Sequence, residues 1–228
     1  MALDPAALAA LPALAPQALG GALLAAEFVA TLAFAASGLV QGARRGLDAV
    51  GICIVTGLAA FGGGTLRDVL LDRRPLFWVE HAHWLWLLLA LCVAAMVLLR
   101  RRHLALTERA MQWPDALGLG LFAAGGTQIA LDSGVPAIVA VLMGVMTATF
   151  GGVLRDIVCN QIPAAFSDHR PYAVCAFAGG WVVVGADALG WPPLPVLALG
   201  AATACTLRAL ALWRDWRLPE WRAADRGR

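Results

Sequence analysis

Two stretches carry residue types that could act on an ion: Phe61-Gly62-Gly63-Gly64-Thr65-Leu66-Arg67-Asp68 and Phe150-Gly151-Gly152-Val153-Leu154-Arg155-Asp156. Each sets glycines, then an Arg-Asp pair, inside a long apolar run. Glycine disfavours a continuous helix by roughly 1 kcal/mol per residue. A charge near the centre of a bilayer costs at least about 2.5 kcal/mol. Two repeats of that combination point to a polar pathway. If Gly62, Gly63, Gly64, Gly151 and Gly152 break or kink their helices, carbonyl oxygens at the end of each first half become free. Those oxygens, with the negative end of the helix dipole, can replace part of a cation's hydration shell. Thr65, Thr147 and Thr149 add hydroxyl oxygens close by. The competing reading is that the glycines only let helices pack closely. A phosphate-cradling role is disfavoured, because no strand precedes the glycines.

The charged residues need partners of their own. Neighbours on a helix point about 100° apart, so Arg67 is poorly aimed at Asp68. Arg67 is therefore expected to reach Asp156, and Arg155 to reach Asp68, as a charge cluster beside the pore. Glu27 and Asp115 are further carboxylates at or in apolar runs, and an intramembrane carboxylate is a functional candidate by default. For Glu27, a position near the headgroups or capping a neighbouring helix is the alternative.

Other chemistry has little support. His81 and His83 form an H-x-H beside Glu80, but a water-facing loop explains their polarity, and no metal or cofactor is expected. Cys53, Cys92, Cys159, Cys175 and Cys205 have no metal-ligand spacing and read as small packing residues. No nucleophile-base pair is placed in the spans, which argues against an enzyme. A net charge of +2 spread over several loops leaves no nucleic-acid footprint.

The elements that must hold these residues are transmembrane helices. Of the 228 residues, 61% are hydrophobic and 14% charged, against about 25% charged in soluble domains. Mean hydropathy is +0.75. Seven spans are expected: Leu19 to Val40, Ala49 to Leu71, Trp84 to Leu99, Asp115 to Leu131, Ala137 to Cys159, Tyr172 to Leu189 and Val196 to Trp213. Residues 1–18, interrupted by Pro5, Pro12 and Pro16, read as a loose or interfacial lead-in, and 214–228 as a basic tail. Phe77 and Trp78 look like interfacial anchors. The fourth span is rich in small residues, which let helices approach closely.

An internal repeat orders the spans. Adding 88 to a residue number carries Glu27 to Asp115, Gly46 to Gly134, Gly63-Gly64 to Gly151-Gly152, Leu66-Arg67-Asp68 to Leu154-Arg155-Asp156 and Pro75 to Pro163 without a gap. Positions 27–76 and 115–164 share 13 identities in 50. Each unit holds three spans, an odd number, so the second copy must cross the membrane in the opposite sense. The expected fold is an all-α integral membrane protein with an inverted three-plus-three repeat (19–99 and 115–189) and a seventh helix at 196–213. Outside the spans, twelve arginines fall on the side of the first, third and fifth loops and the tail, and only Arg73 and Arg74 on the other. The positive-inside rule then puts the N-terminus outside and the C-terminus in the cytoplasm.

With its FGGG motif, the GG echo, the Arg-Asp pairs and the three-plus-three-plus-one layout, the chain resembles the trimeric intracellular cation channel (TRIC) family, bacterial branch, over roughly residues 20–212. The resemblance implies a homotrimer in a bacterial inner membrane, in contact with lipids. Each subunit would carry a pore lined by the kinked second and fifth helices, passing potassium, sodium and other monovalent cations. The chain departs from the animal members in lacking their Lys-Glu-Val motif, having no lysine at all, so their gating and phosphoinositide dependence are not carried over. The alternative function is a secondary transporter of a small solute such as glycine, because broken helices in inverted repeats are also a carrier design. A purely structural membrane subunit is a third reading.

Overall fold

The computed structural model describes residues 5–98 and 108–219, and every described element is helical. The helices are α1 (Pro5–Arg44), α2 (Ala49–Leu70), α3 (Phe77–Glu80), α4 (His83–Leu98), α5 (Glu108–Asp132), α6 (Ala137–Val158), α7 (Ala164–Ser167), α8 (Ala173–Ala188) and α9 (Pro193–Trp213). Four segments are long and apolar enough to cross a membrane: Leu19–Arg44, Ala49–Leu70, Ala137–Val158 and Pro193–Trp213. Helices α4 and α8 are shorter and also apolar. Each of the seven expected spans falls on one of these helices, but two boundaries move. Residues 5–18, expected as a loose lead-in, belong to α1, and α5 starts at Glu108, upstream of Pro114. The run Arg100-Arg101-Arg102 and the tail arginines Arg222, Arg226 and Arg228, which carry part of the orientation argument, lie outside the described residues.

The bundle is assembled around α5, which packs against α1, α6, α8 and α9. Its small residues make this possible. A methyl group on Gly118 would lie 2.7 Å from the Phe34 ring, and one on Gly120 would lie 2.7 Å from the Ala201 carbonyl oxygen. Without a hydrophobic driving force between helices in lipid, such close backbone approach is what holds them. Phe34 of α1 stacks on Phe122 of α5 at the centre of one core cluster. Helix α4 packs on α1, α2 and Phe77 of α3 and leaves Trp86 and Val97 exposed, as a lipid-facing helix would.

The offset of 88 reappears in the backbone. It carries the ends of α2 onto the ends of α6, Gly46 onto Gly134, both with positive φ, and Asp72 onto Asn160, both left-handed after their helices. The backbone nitrogens of Arg73 and Gln161 donate to the carbonyls of Asp68 and Asp156, again equivalent positions.

The expected helix breaks are absent. Both α2 and α6 run as uninterrupted α-helix through Gly62, Gly63 and Gly64 and through Gly151 and Gly152. The glycines are used for contact. A Cβ on Gly63 would overlap the Thr147 carbonyl oxygen, one on Gly151 would overlap the Ala59 carbonyl oxygen, and one on Gly62 would lie 2.7 Å from Leu154 Cδ1. A helix in lipid keeps its backbone hydrogen bonds internal unless a polar cavity replaces them. At this crossing the space is filled by the partner helix.

Candidate functional site

Each Arg-Asp pair is the centre of a buried charge cluster. In the first half, Arg67 is fully buried; its Nε and Nη2 donate to Asp68 Oδ1 at 2.9 and 2.7 Å. Its Nη1 lies 2.7 Å from Glu27 Oε1 on α1, an ion contact at an angle poor for a hydrogen bond. Asp68 Oδ2 accepts from the backbone nitrogen of Phe77 at 2.8 Å, tying α3 to the end of α2. Arg73 Nη1 approaches Asp68 Oδ1 at 3.5 Å.

The second half repeats this plan. Arg155 Nε donates to Asp156 Oδ1 at 2.8 Å, and its Nη1 donates to Asp115 Oδ1 of α5 at 3.2 Å and to the Ser37 hydroxyl of α1. Asp156 Oδ2 accepts from the backbone nitrogen of Ala164 at 2.9 Å, tying α7 to α6.

These geometries correct the expected cross-repeat pairing. Arg67 binds Asp68 and Glu27, and Arg155 binds Asp156 and Asp115, so each guanidinium takes its carboxylates from its own half, and Arg155 crosses to the other half only for the Ser37 hydroxyl. The 100° argument failed because the arginine side chain is long enough to fold back and reach the next residue's carboxylate. Glu27 and Asp115, at matching positions of the repeat, are the carboxylates that the sequence left without assigned partners. Pairing keeps each buried charge from standing alone, a condition worth about 3–5 kcal/mol when one partner is removed.

The surroundings of the two clusters differ. A polar cavity of about 590 Å³ borders Arg155, Asp115, Asp156, Ser37 and Thr149, and extends past Tyr172 and Arg208 to Arg44 and Arg45 at its rim. Around Arg155 two aspartates face one guanidinium. Arg208 Nη2 lies 3.6 Å from Asp168, its Nη1 donates to the Pro171 carbonyl at 3.0 Å, and its guanidinium sits 4.9 Å from the Tyr172 ring centre. Gln41 donates to Gln161 on the same cavity wall. Ser37, Gln41, Gln161, Tyr172 and Arg208 were not among the sequence candidates. Arg208, an arginine inside an apolar run, was the signal that could have found this wall.

The other candidates are placed as follows. Thr65 donates to the Phe61 carbonyl at 2.7 Å and accepts from Trp78 Nε1 at 3.0 Å, so both sides of its hydroxyl are used. Thr147 is buried and donates back to the Met143 carbonyl at 2.7 Å. Gly64 lies under Phe77, and Gly152 faces the cavity. Phe77, expected as an interfacial anchor, is instead a buried residue packed on Phe61, Trp84 and the Arg67 guanidinium. His81 Nδ1 lies 3.0 Å from the Phe77 carbonyl. A second, apolar cleft of about 400 Å³ lies along the outer side of the crossing, past Gly57, Gly62, Trp78 and Leu154.

The all-α bundle that carries these clusters matches the fold of solved TRIC channels. A solved structure described as a TRIC trimeric intracellular cation channel orthologue from Rhodobacter sphaeroides is 32% identical, with a TM-score of 0.76, covering 85% of this chain and 98% of that one. Another, described as the structural basis for conductance through TRIC cation channels, is 28% identical with a TM-score of 0.79, covering 87% and 96%. A family model described as "Glycine transporter" matches residues 24–102 and 112–188. Among curated relatives, a "UPF0126 membrane protein" of Vibrio cholerae is 31% identical over 85% of this chain and 80% of its own length. The "UPF0126 inner membrane protein YadS" of Escherichia coli is 30% identical over 89% and 97%. The chain belongs to this family, the bacterial branch of the TRIC channels.

Proposed function

We propose that the protein is a monovalent-cation channel, permeable to potassium or sodium, that assembles as a homotrimer in the bacterial inner membrane with one path in each subunit. The observation that carries this reading is the polar cavity ending on the Arg155 cluster, within a fold that matches solved cation channels over nearly their whole length. Two carboxylates against one guanidinium leave a local negative charge at the cavity floor, where a partly dehydrated cation is stabilised, below a rim that carries Arg44 and Arg45. Arg208 is offset by Asp168, so it does not cancel that charge.

The proposed path runs along α2 and α6, whose glycine contact closes it in this conformation. The proposed arrangement in the membrane is seven spans in an inverted three-plus-three repeat. Its support is the pairing at the crossing. Gly63 meets Thr147 and Gly151 meets Ala59; exchanging the halves by 88 residues turns one pair into the other, and the residue numbers run in opposite senses. With the C-terminus in the cytoplasm, as the arginine distribution requires, the cavity opens to the cytoplasm, because it is walled by the ends of α1 and α6.

Purified protein in planar bilayers under a potassium chloride gradient is expected to give unitary current steps reversing near the potassium potential. Silence in the bilayer together with saturable uptake of a small solute such as glycine into vesicles would replace the channel with a carrier.

A further inference from the structure

We infer that Phe77 is a plug that keeps the first charge cluster dry, and that the alanine in its place in the second half is what opens the cavity. The inference rests on the channel reading for its functional meaning, but its geometry stands independently.

The two positions are identified by a shared bond, one residue out of the offset of 88, which sets Phe77 against Ala165 and Leu76 against Ala164. The backbone nitrogen of Phe77 donates to Asp68 Oδ2, and that of Ala164 donates to Asp156 Oδ2. Around this common frame the side chains diverge. The Phe77 ring is buried, lies 5.6 Å from the Arg67 guanidinium, and fills the space above Gly64, where a Cβ would come within 2.5 Å of it. The matching space above Gly152 is looser: a Cβ built there would meet the Tyr172 hydroxyl at 3.6 Å, Arg155 Nη2 at 3.7 Å and Phe34 at 4.0 Å, all ordinary contacts. Ala164 and its neighbour Ala165 line the cavity, whereas Trp78, beside Phe77, reaches back to Thr65. Exposure differs at the guanidinium: the Arg67 side chain is 0% exposed and that of Arg155 is 10%, while Glu27 and Asp115 are alike at 11%. Neither the polar cavity nor the apolar cleft is lined by Glu27, Arg67 or Asp68.

The consequence is a one-sided path. Two equivalent clusters sit at the ends of α2 and α6, and the large polar cavity is built on the second. The other is covered by an aromatic ring, a hydrophobic barrier of the kind that stops ions by excluding water. Phe77 is therefore a determinant of conductance in the first half, acting through the hydration of Arg67 and its carboxylates.

The test uses the full chain with its five cysteines replaced and single cysteines introduced at equivalent positions, probed with a permanently charged methanethiosulfonate and read by mass. Gly152→Cys is expected to be labelled, and Gly152→Cys with Ala164→Phe to be protected. Gly64→Cys with Phe77→Ala is expected to be labelled, since the three atoms nearest that space all belong to the Phe77 ring; Phe77→Leu serves if the alanine variant does not assemble. In bilayers, Phe77→Ala is expected to raise unitary conductance about twofold or more, and Ala164→Phe to lower it. Equal labelling of Gly152→Cys with and without Ala164→Phe, or no labelling of Gly64→Cys beside the smaller residue, would overturn the plug. A chain that labels as expected but carries no current keeps the plug and loses the channel.

Discussion

Gly63 and Gly151 reach across to the other half of the molecule, whereas Arg67 and Arg155, only four residues further along the same helices, find their carboxylate partners within their own half; one bond, from Arg155 to the Ser37 hydroxyl, crosses. Both sets come from one repeated stretch, yet they solve different problems. The glycines sit where α2 and α6 cross, and a bare backbone is the only surface that can meet the partner's carbonyl groups there. The arginines sit near the helix ends, where the antiparallel neighbours α1 and α5 present Glu27 and Asp115 at the same depth. The ion pairs of the two clusters are therefore made within each half, while the halves meet through the glycine crossing and a few hydrogen bonds, Arg155 to Ser37 and Gln41 to Gln161.

The largest expected effect tests the ionic side. Arg67→Gln leaves Glu27 and Asp68 buried without their cation and should cost about 3–5 kcal/mol, seen as a large drop in unfolding temperature in detergent. Arg155→Gln should cost less, because water in the cavity can solvate Asp115 and Asp156; equal losses would erase the distinction between a dry and a wet cluster. Next comes the crossing. Gly63→Ala and Gly151→Ala should each lose stability at the upper end of the roughly 1–3 kcal/mol range for overpacking, by matching amounts, while Gly57→Ala, with open space around it, should be nearly neutral. A tolerated alanine at both crossing positions would mean that the helices do not meet there.

A smaller difference separates the two helix starts. Asp48 caps α2 by accepting from the Gly51 nitrogen at 2.7 Å, whereas its counterpart Pro136 offers α6 no side-chain cap. Asp48→Ala should cost about 1 kcal/mol, measurable in the same melting experiment; a loss near zero would show that the cap is not needed at this membrane edge. The smallest effect is a predicted absence. A double-mutant cycle between Arg67→Gln and Asp156→Asn should be additive within about 0.5 kcal/mol, while Arg67→Gln with Glu27→Gln should be strongly non-additive. Coupling across the halves would restore the cross-repeat pairing that the distances oppose.

Much of the architecture was legible from residue types alone. Apolar runs marked the helices, because a lipid-exposed backbone must satisfy its own hydrogen bonds. The 88-residue offset was readable because the glycines, the Arg-Asp pair and Pro75 with Pro163 kept their spacing. It correctly grouped Glu27 with Asp115 and Arg67 with Arg155. Partner choice was not readable. Whether Arg67 reaches Asp68, Glu27 or Asp156 depends on how far a flexible side chain can bend and which helix lies alongside, and neither is written in helical spacing. The role of the glycines was equally ambiguous, since a residue without a Cβ serves a break and a close crossing alike. Tertiary packing decided for the crossing, because another helix already fills the space a break would open. The proposed plug turns on an exchange, Phe77 against Ala164, two residues whose equivalence is set by a backbone bond to an aspartate in three dimensions. The sequence determined which residues are buried together in each half; the tertiary structure alone decided which cluster water can reach, because access depends on the volume left above it once the neighbouring helices are packed.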